Sequence, residues 1–117
     1  MELDPGRVRL LGDPGTPDGR GALGELFDAF LPLARRAVAD IRAAVDEGDV
    51  ARAAALAHAQ KGASGMIGAP AIAAAFASLE RPMAGTTGIR RTLDDLETAL
   101  DRLAVEADAL LGRPGAP

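Results

Sequence analysis

ALGELFDAFLPLARRAVADIRAAVDEGD, residues 22–49, sets Leu23, Leu26, Phe27, Phe30, Ala34, Val38, Ile41 and Val45 at spacings of three and four. That period gathers them into one apolar stripe along a helix, a face that has to be buried against something else. Pro32 falls inside the stretch and has no N–H for an interior helical bond, so a kink or distorted turn is expected there. Gly48 then stops the helix and Asp49 caps the next one, with almost no linker between them. So short a connection makes consecutive helices antiparallel neighbours.

The same reading extends in both directions. Downstream, a third helix runs from Val50 to about Ile67, and Gly68-Ala69-Pro70 ends it and opens a fourth, with Ile72, Phe76 and Leu79 as its apolar positions. Arg81-Pro82 biases the backbone out of the helical region, and Ala84-Gly85-Thr86-Thr87-Gly88 reads as a loop. The last helix carries Ile89, Leu93, Leu96, Leu100, Leu103, Ala107 and Leu110 before Gly112 and Pro114. Upstream, GDPGTPDGRG at 12–21 reads as a loop. Before it, Asp4-Pro5 caps a short helix bearing Val8, Leu10 and Leu11.

No segment alternates in the manner of a strand. The expected fold is therefore all-α, an antiparallel four-helix bundle with a short additional N-terminal helix. Residues 1–21 form the short helix and the Gly/Pro-rich loop, 22–112 the bundle, and 113–117 a tail.

Composition narrows the chemistry. The 117 residues include no Cys and one His, with a net charge of −4 and 3% aromatic residues. Without cysteine there is no disulfide framework and no sulfur-based metal site, and one histidine cannot make a two-histidine metal motif. An acidic chain this poor in aromatics lacks both the basic patch and the stacking platform that nucleic acids need. No apolar run approaches a membrane span, and the acidic start Met1-Glu2-Leu3-Asp4 is unlike a signal peptide, so the expected location is the cytoplasm.

His58 is the remaining chemical group, and the helical wheel gives its direction. Leu56, Gln60, Ala63 and Ile67 fall opposite it, flanked by Ala53 and Ala57, so that side is the expected core and His58 faces solvent. Ala51, Ala54, Ala55, Gly62 and Gly65 lie within about 60° of it, all small, and Lys61 is the exception in that arc. Interior glycine costs a helix about 1 kcal/mol relative to alanine. Two glycines beside an exposed imidazole are read in either of two ways: tolerated on a plain surface or used in helix packing, or cleared for a large partner.

The run Ala57-His58-Ala59-Gln60-Lys61-Gly62-Ala63-Ser64, with Gly68-Ala69 and Leu79-Glu80 beyond it, resembles the histidine-containing phosphotransfer (HPt) domain family. That family carries His-x-Leu-Lys-Gly followed by small residues, and Leu3-Asp4-Pro5, the Phe27–Phe30 stretch and the Gly48-Asp49 corner fit its layout. The resemblance implies a phosphorelay intermediate without kinase or phosphatase activity of its own. His58 is then the phosphoacceptor, Lys61 a positive charge for the phosphoryl group, and Glu80 a carboxylate that orients the imidazole. Ala54, Ala55, Gly62 and Gly65 clear the approach of the partner.

The implied partners are response-regulator receiver domains or a hybrid histidine kinase. The receiver brings the Mg²⁺, and this chain holds no cofactor or metal. The docking surface is expected on the outer face around His58 and the adjoining face of the second helix, with Val8 and Leu11 from the N-terminal turn. Two departures stand out: Gln60 replaces the usual Leu on the core side, and Pro82 cuts the fourth helix short. Ser64 reads as a packing or helix-backbone contact. The alternatives are a phosphoacceptor module served by a histidine kinase in trans, and a bundle that binds a receiver without being phosphorylated.

Overall fold

The computed structural model describes residues 1–81 and 85–113, the side chains of residues 85 and 86 excepted. Five helices follow one another: α1 (Pro5–Leu11), α2 (Pro17–Asp46), α3 (Val50–Met66), α4 (Pro70–Ser78) and α5 (Gly85–Leu111). There is no strand among the described residues. At about 1.5 Å per residue, α2 alone is about 45 Å long, which matches the 46 Å longest dimension of the molecule. α2 packs between α3 and α5, and α4 closes the ring against both of them, so α3 and α5 stand on a diagonal. Among the described residues, no helix is long and apolar enough to cross a membrane.

The periodic stretches bury the faces that their spacing predicts. Leu23, Phe27, Phe30, Ala34, Val38 and Ile41 of α2 meet Leu93, Leu96, Leu100, Leu103 and Ala107 of α5 in one core with Ile72 and Phe76 of α4. Leu26 is the exception on α2: it is exposed, as is Leu33. α2 continues through Pro32 without a break.

Two expected loops are helical. Residues 17–21 belong to α2 because Pro17 opens the helix and the Thr16 hydroxyl caps it, accepting from Gly19 N at 3.0 Å. Gly19 is there for space: a Cβ would fall 1.9 Å from the Asp13 carbonyl oxygen. Residues 85–88 likewise begin α5, where Thr92 Oγ1 donates to the Gly88 carbonyl at 3.0 Å. Pro82, Ala84 and Pro114, expected at element boundaries, lie outside the described residues.

The corners repeat one device. Gly48 and Gly68 adopt φ of +75° and +84°, open to glycine at no steric cost. The next N–H in each case reaches back over the helix end, Asp49 N to Ala44 O at 2.8 Å and Ala69 N to Ser64 O at 2.9 Å. The N-terminal segment is pinned across this end of the bundle by Asp4 N to Gly68 O at 2.8 Å. Glu106 holds it from the other side, accepting from the backbone N–H of Glu2 and Leu3. Val8 of α1 is buried and Leu11 half-buried, so α1 seals the core instead of offering Val8 to a partner; Leu10 is the exposed one.

Candidate functional site

α3 is nearly all small side chains, and it sits with its smallest residues inward. Ala53, Ala57 and Ser64 are its buried positions, and Ile67 is buried just beyond its end. Leu56 and Ala63, expected at the centre of the buried face, are half-buried at its flank. The helix is thus turned by about 50° from the expected setting. Wedged between α2 and α4, it brings small residues to the middle, and larger ones fit only beside them. Ser64 tolerates burial because its hydroxyl donates to the Gln60 carbonyl at 2.7 Å, the backbone contact expected of it. The carboxamide of Gln60 fares less well: Oε1 is enclosed with no hydrogen-bond partner among the described residues.

The rotation leaves His58 outside, its side chain 72% exposed. Glu80 reaches it from the far side of the α3–α4 corner. α4 ends at Ser78, so Glu80 stands in the turn that follows and not on the helix. That turn is tightened by Leu79 N to Phe76 O and Glu80 N to Ala77 O, at 3.0 and 3.2 Å. With Leu79 buried as the anchor, the next side chain is directed across to α3.

The carboxylate joins two side chains of α3. Glu80 Oε1 is hydrogen-bonded to His58 Nδ1, and Oε2 lies 3.1 Å from Lys61 Nζ. The bond from His58, then that from Lys61, holds the Glu80 carboxyl below the usual carboxylate range, against the partial desolvation that opposes it. An ionised carboxylate only accepts, so Nδ1 is the donor, and in the neutral ring the Nε2 lone pair is left free. Nε2 has no hydrogen-bond partner among the described residues.

Around the ring, Ala51, Ala55 and Gly62 are exposed, while Ala54, Lys61 and Gly65 are half-buried on the side nearer Glu80. Among the described residues, a Cβ added at Gly62 or at Gly65 would meet nothing within 4 Å. These glycines are therefore not demanded by contacts among the described residues. The sequence brought His58, Lys61 and Glu80 into one neighbourhood but paired only His58 with Glu80. The readable signal was the shared face: His58 and Lys61 stand three residues apart on α3, so an acid that the packing brings to one can meet the other.

Among the described residues no three His, Cys, Asp or Glu side chains group as metal ligands. No curated protein and no solved structure matches the chain. A family model does, that of the Hpt domain, over residues 25–111. Its span runs from the first turns of α2 to the end of α5, taking in the ring of four helices and the histidine mounted on it. The chain belongs to the Hpt domain family, whose domains are phosphotransfer carriers.

Proposed function

We propose that His58 carries a phosphoryl group between the aspartates of receiver domains in a two-component phosphorelay. The observation behind this reading is the asymmetry of its ring, with Nδ1 tied to Glu80 and Nε2 without a partner among the described residues, on a side chain that is 72% exposed. A nucleophile needs such a lone pair, and in-line phosphoryl transfer needs the open approach.

The Nε2 lone pair attacks phosphorus, an N–P bond forms, and the P–O bond to the receiver aspartate breaks with its electron pair leaving on the carboxylate. The ring keeps the Nδ1 proton and becomes a cation facing the Glu80 carboxylate, which stabilises it. The reverse sequence hands the phosphoryl group to the next receiver. Mg²⁺ belongs to the receiver in this scheme, and Lys61 adds positive charge at the edge of the site.

The partner rests on a surface that includes an apolar patch. Leu26 and Leu33, 37% and 60% exposed, stand on one face of α2. They lie about 150° around that helix from Arg35, which pairs with Asp101 of α5, and Asp28, which pairs with Arg113 just past the end of α5, and so flank α3. Met66, 70% exposed, continues the apolar surface on α3.

The test is incubation with phosphorylated receivers, followed by acid and base treatment of the labelled protein. An acid-labile, base-stable label that disappears in His58→Ala is expected. No label from any receiver but a label from a histidine kinase with ATP favours the kinase-served module. Receiver binding without any label favours the bundle that only binds.

A further inference from the structure

Helix α5 carries charge on two flanks and uses them differently. On the flank toward α2, Arg90, Asp94, Glu97 and Asp101 each pair with a side chain of α2. On the outer face, Arg91, Asp95, Thr98, Arg102, Val105 and Ala109 recur at spacings of four and three, and all six are exposed. They lie on the side opposite the buried Leu93, Leu96, Leu100 and Leu103. Arg91, Asp95 and Arg102 have no ion-pair partner among the described residues.

The order of the signs identifies what fits this face. Arg91, Asp95, Arg102 and Glu106 run plus, minus, plus, minus; turned end for end, the same row reads minus, plus, minus, plus. The geometry points to a homodimer in which two copies of this chain pair antiparallel through the outer faces of α5. Asp95 then meets Arg102 of the second copy, and Arg91 meets its Glu106, whose oxygens also accept from the N–H of Glu2 and Leu3. The two-fold axis passes between Thr98 and Ala99, in the middle of Gly85–Leu111, so the helices overlap along their whole length. A slide of four residues either way opposes like charges, Arg91 to Arg102 or Asp95 to Glu106. A ligand of one sign is repelled by half of the row, whereas a second copy matches all of it.

Met1 and Val105, 90% and 66% exposed, supply apolar contact beside the charges. Together with Thr98 and Arg102 they line a shallow depression on this face. The face is about 40 Å long, and one helix pair of that length buries less than about 1,200 Å², so the dimer is weak and reversible. Because α3 and α5 stand on a diagonal of the ring, pairing through α5 leaves both copies of His58 facing outward. The dimer is thus a carrier with two open histidines.

The experiment is sedimentation of the full chain from about 10 μM to about 1 mM. A reversible monomer–dimer equilibrium is expected, weakened at about 1 M salt. Asp95→Arg and Arg102→Asp should each weaken dimerisation about tenfold, and the two together should restore it to within about threefold. The chain has no cysteine, so Thr98→Cys gives a single thiol beside the axis. Mild oxidation should cross-link it as a disulfide dimer, while Val50→Cys, on α3, stays monomeric. A monomer at every concentration overturns the inference. So does a dimer indifferent to both charge reversals, which places the contact on another face, or a combined swap that fails to restore pairing. None of these readouts uses phosphotransfer, so the carrier reading stands or falls separately.

Discussion

Along the α2–α5 seam the bundle uses large side chains and a row of charge pairs, whereas α3 buries only small ones. The seam buries Phe27, Phe30, Leu96, Leu100 and Leu103. Its rim is laced by Arg35–Asp101, Arg42–Asp94, Arg42–Glu97 and Arg90–Asp46 at 2.6 to 3.0 Å. α3 buries two alanines and a serine, and turns alanines and glycines outward. Stability and access are thus assigned to different helices. A helix packed by large residues on one side has to be crowded there, and a helix that presents a reactive ring has to be bare on the other. The outer half of α3 is bare because the other three long-range partners in the ring carry the burial.

Cutting into the seam should give the largest effect. Phe27→Ala is expected to lower stability by about 3–5 kcal/mol, a large part of the 5–15 kcal/mol typical of whole domains. Urea unfolding measures it, and a loss below about 1 kcal/mol means that the seam is not the main store of stability.

The counterpart is Gly62→Leu on the bare face, where a Cβ meets nothing within 4 Å. Helix propensity improves, so the melting temperature should hold or rise. Phosphotransfer should fall about tenfold or more because the partner no longer closes over the ring. Unchanged transfer removes the clearing from the mechanism.

Gln60→Leu comes next, replacing the enclosed carboxamide oxygen by apolar volume. A gain of about 1 kcal/mol is expected, roughly 4 °C in melting temperature. A loss in calorimetry means that the oxygen is satisfied in solution.

Charge removal on the rim is smaller still. Arg42→Ala should cost about 0.5–1 kcal/mol at low salt and less at about 1 M salt, since its partners are exposed. An undiminished cost in high salt places the role of Arg42 in packing.

The acid limb gives the finest distinction. The Glu80 carboxyl is held below its ordinary value of 4.5, so its bonds favour the folded state above that pH and are lost as pH falls through the lowered value. Wild type should therefore lose more stability than Glu80→Gln between neutral pH and about pH 3. Parallel acid limbs mean that the carboxylate is not held by His58 and Lys61 in solution.

How much of this was legible follows from the kind of force involved. Helices α2 and α5 declare themselves through period, because large apolar residues at spacings of three and four have only one economical arrangement. Glycine and proline misled at residues 17–21 and 85–88: a Thr16 cap and a Pro17 start turn a Gly-rich segment into the first turns of a helix. The setting of α3 was off by about half a residue step because its alanines and serine carry too weak a hydrophobic signal to fix rotation. Its outward histidine survived that error, since His58 lies far enough from either centre of burial to be exposed in both settings.

From the sequence alone came the helix count, the antiparallel order, the outward histidine and the family resemblance, all set by local periodicity, caps and the residues next to His58. Tertiary structure alone decided which oxygen of Glu80 meets which partner, that Lys61 is bound before any phosphoryl group arrives, and that Gly62 and Gly65 face open space. The physical reason is range. Periodicity and capping act within a few residues, while the turn after α4 and the face of α3 are brought together by burial of the whole ring, and a contact between them depends on that packing and on no single segment.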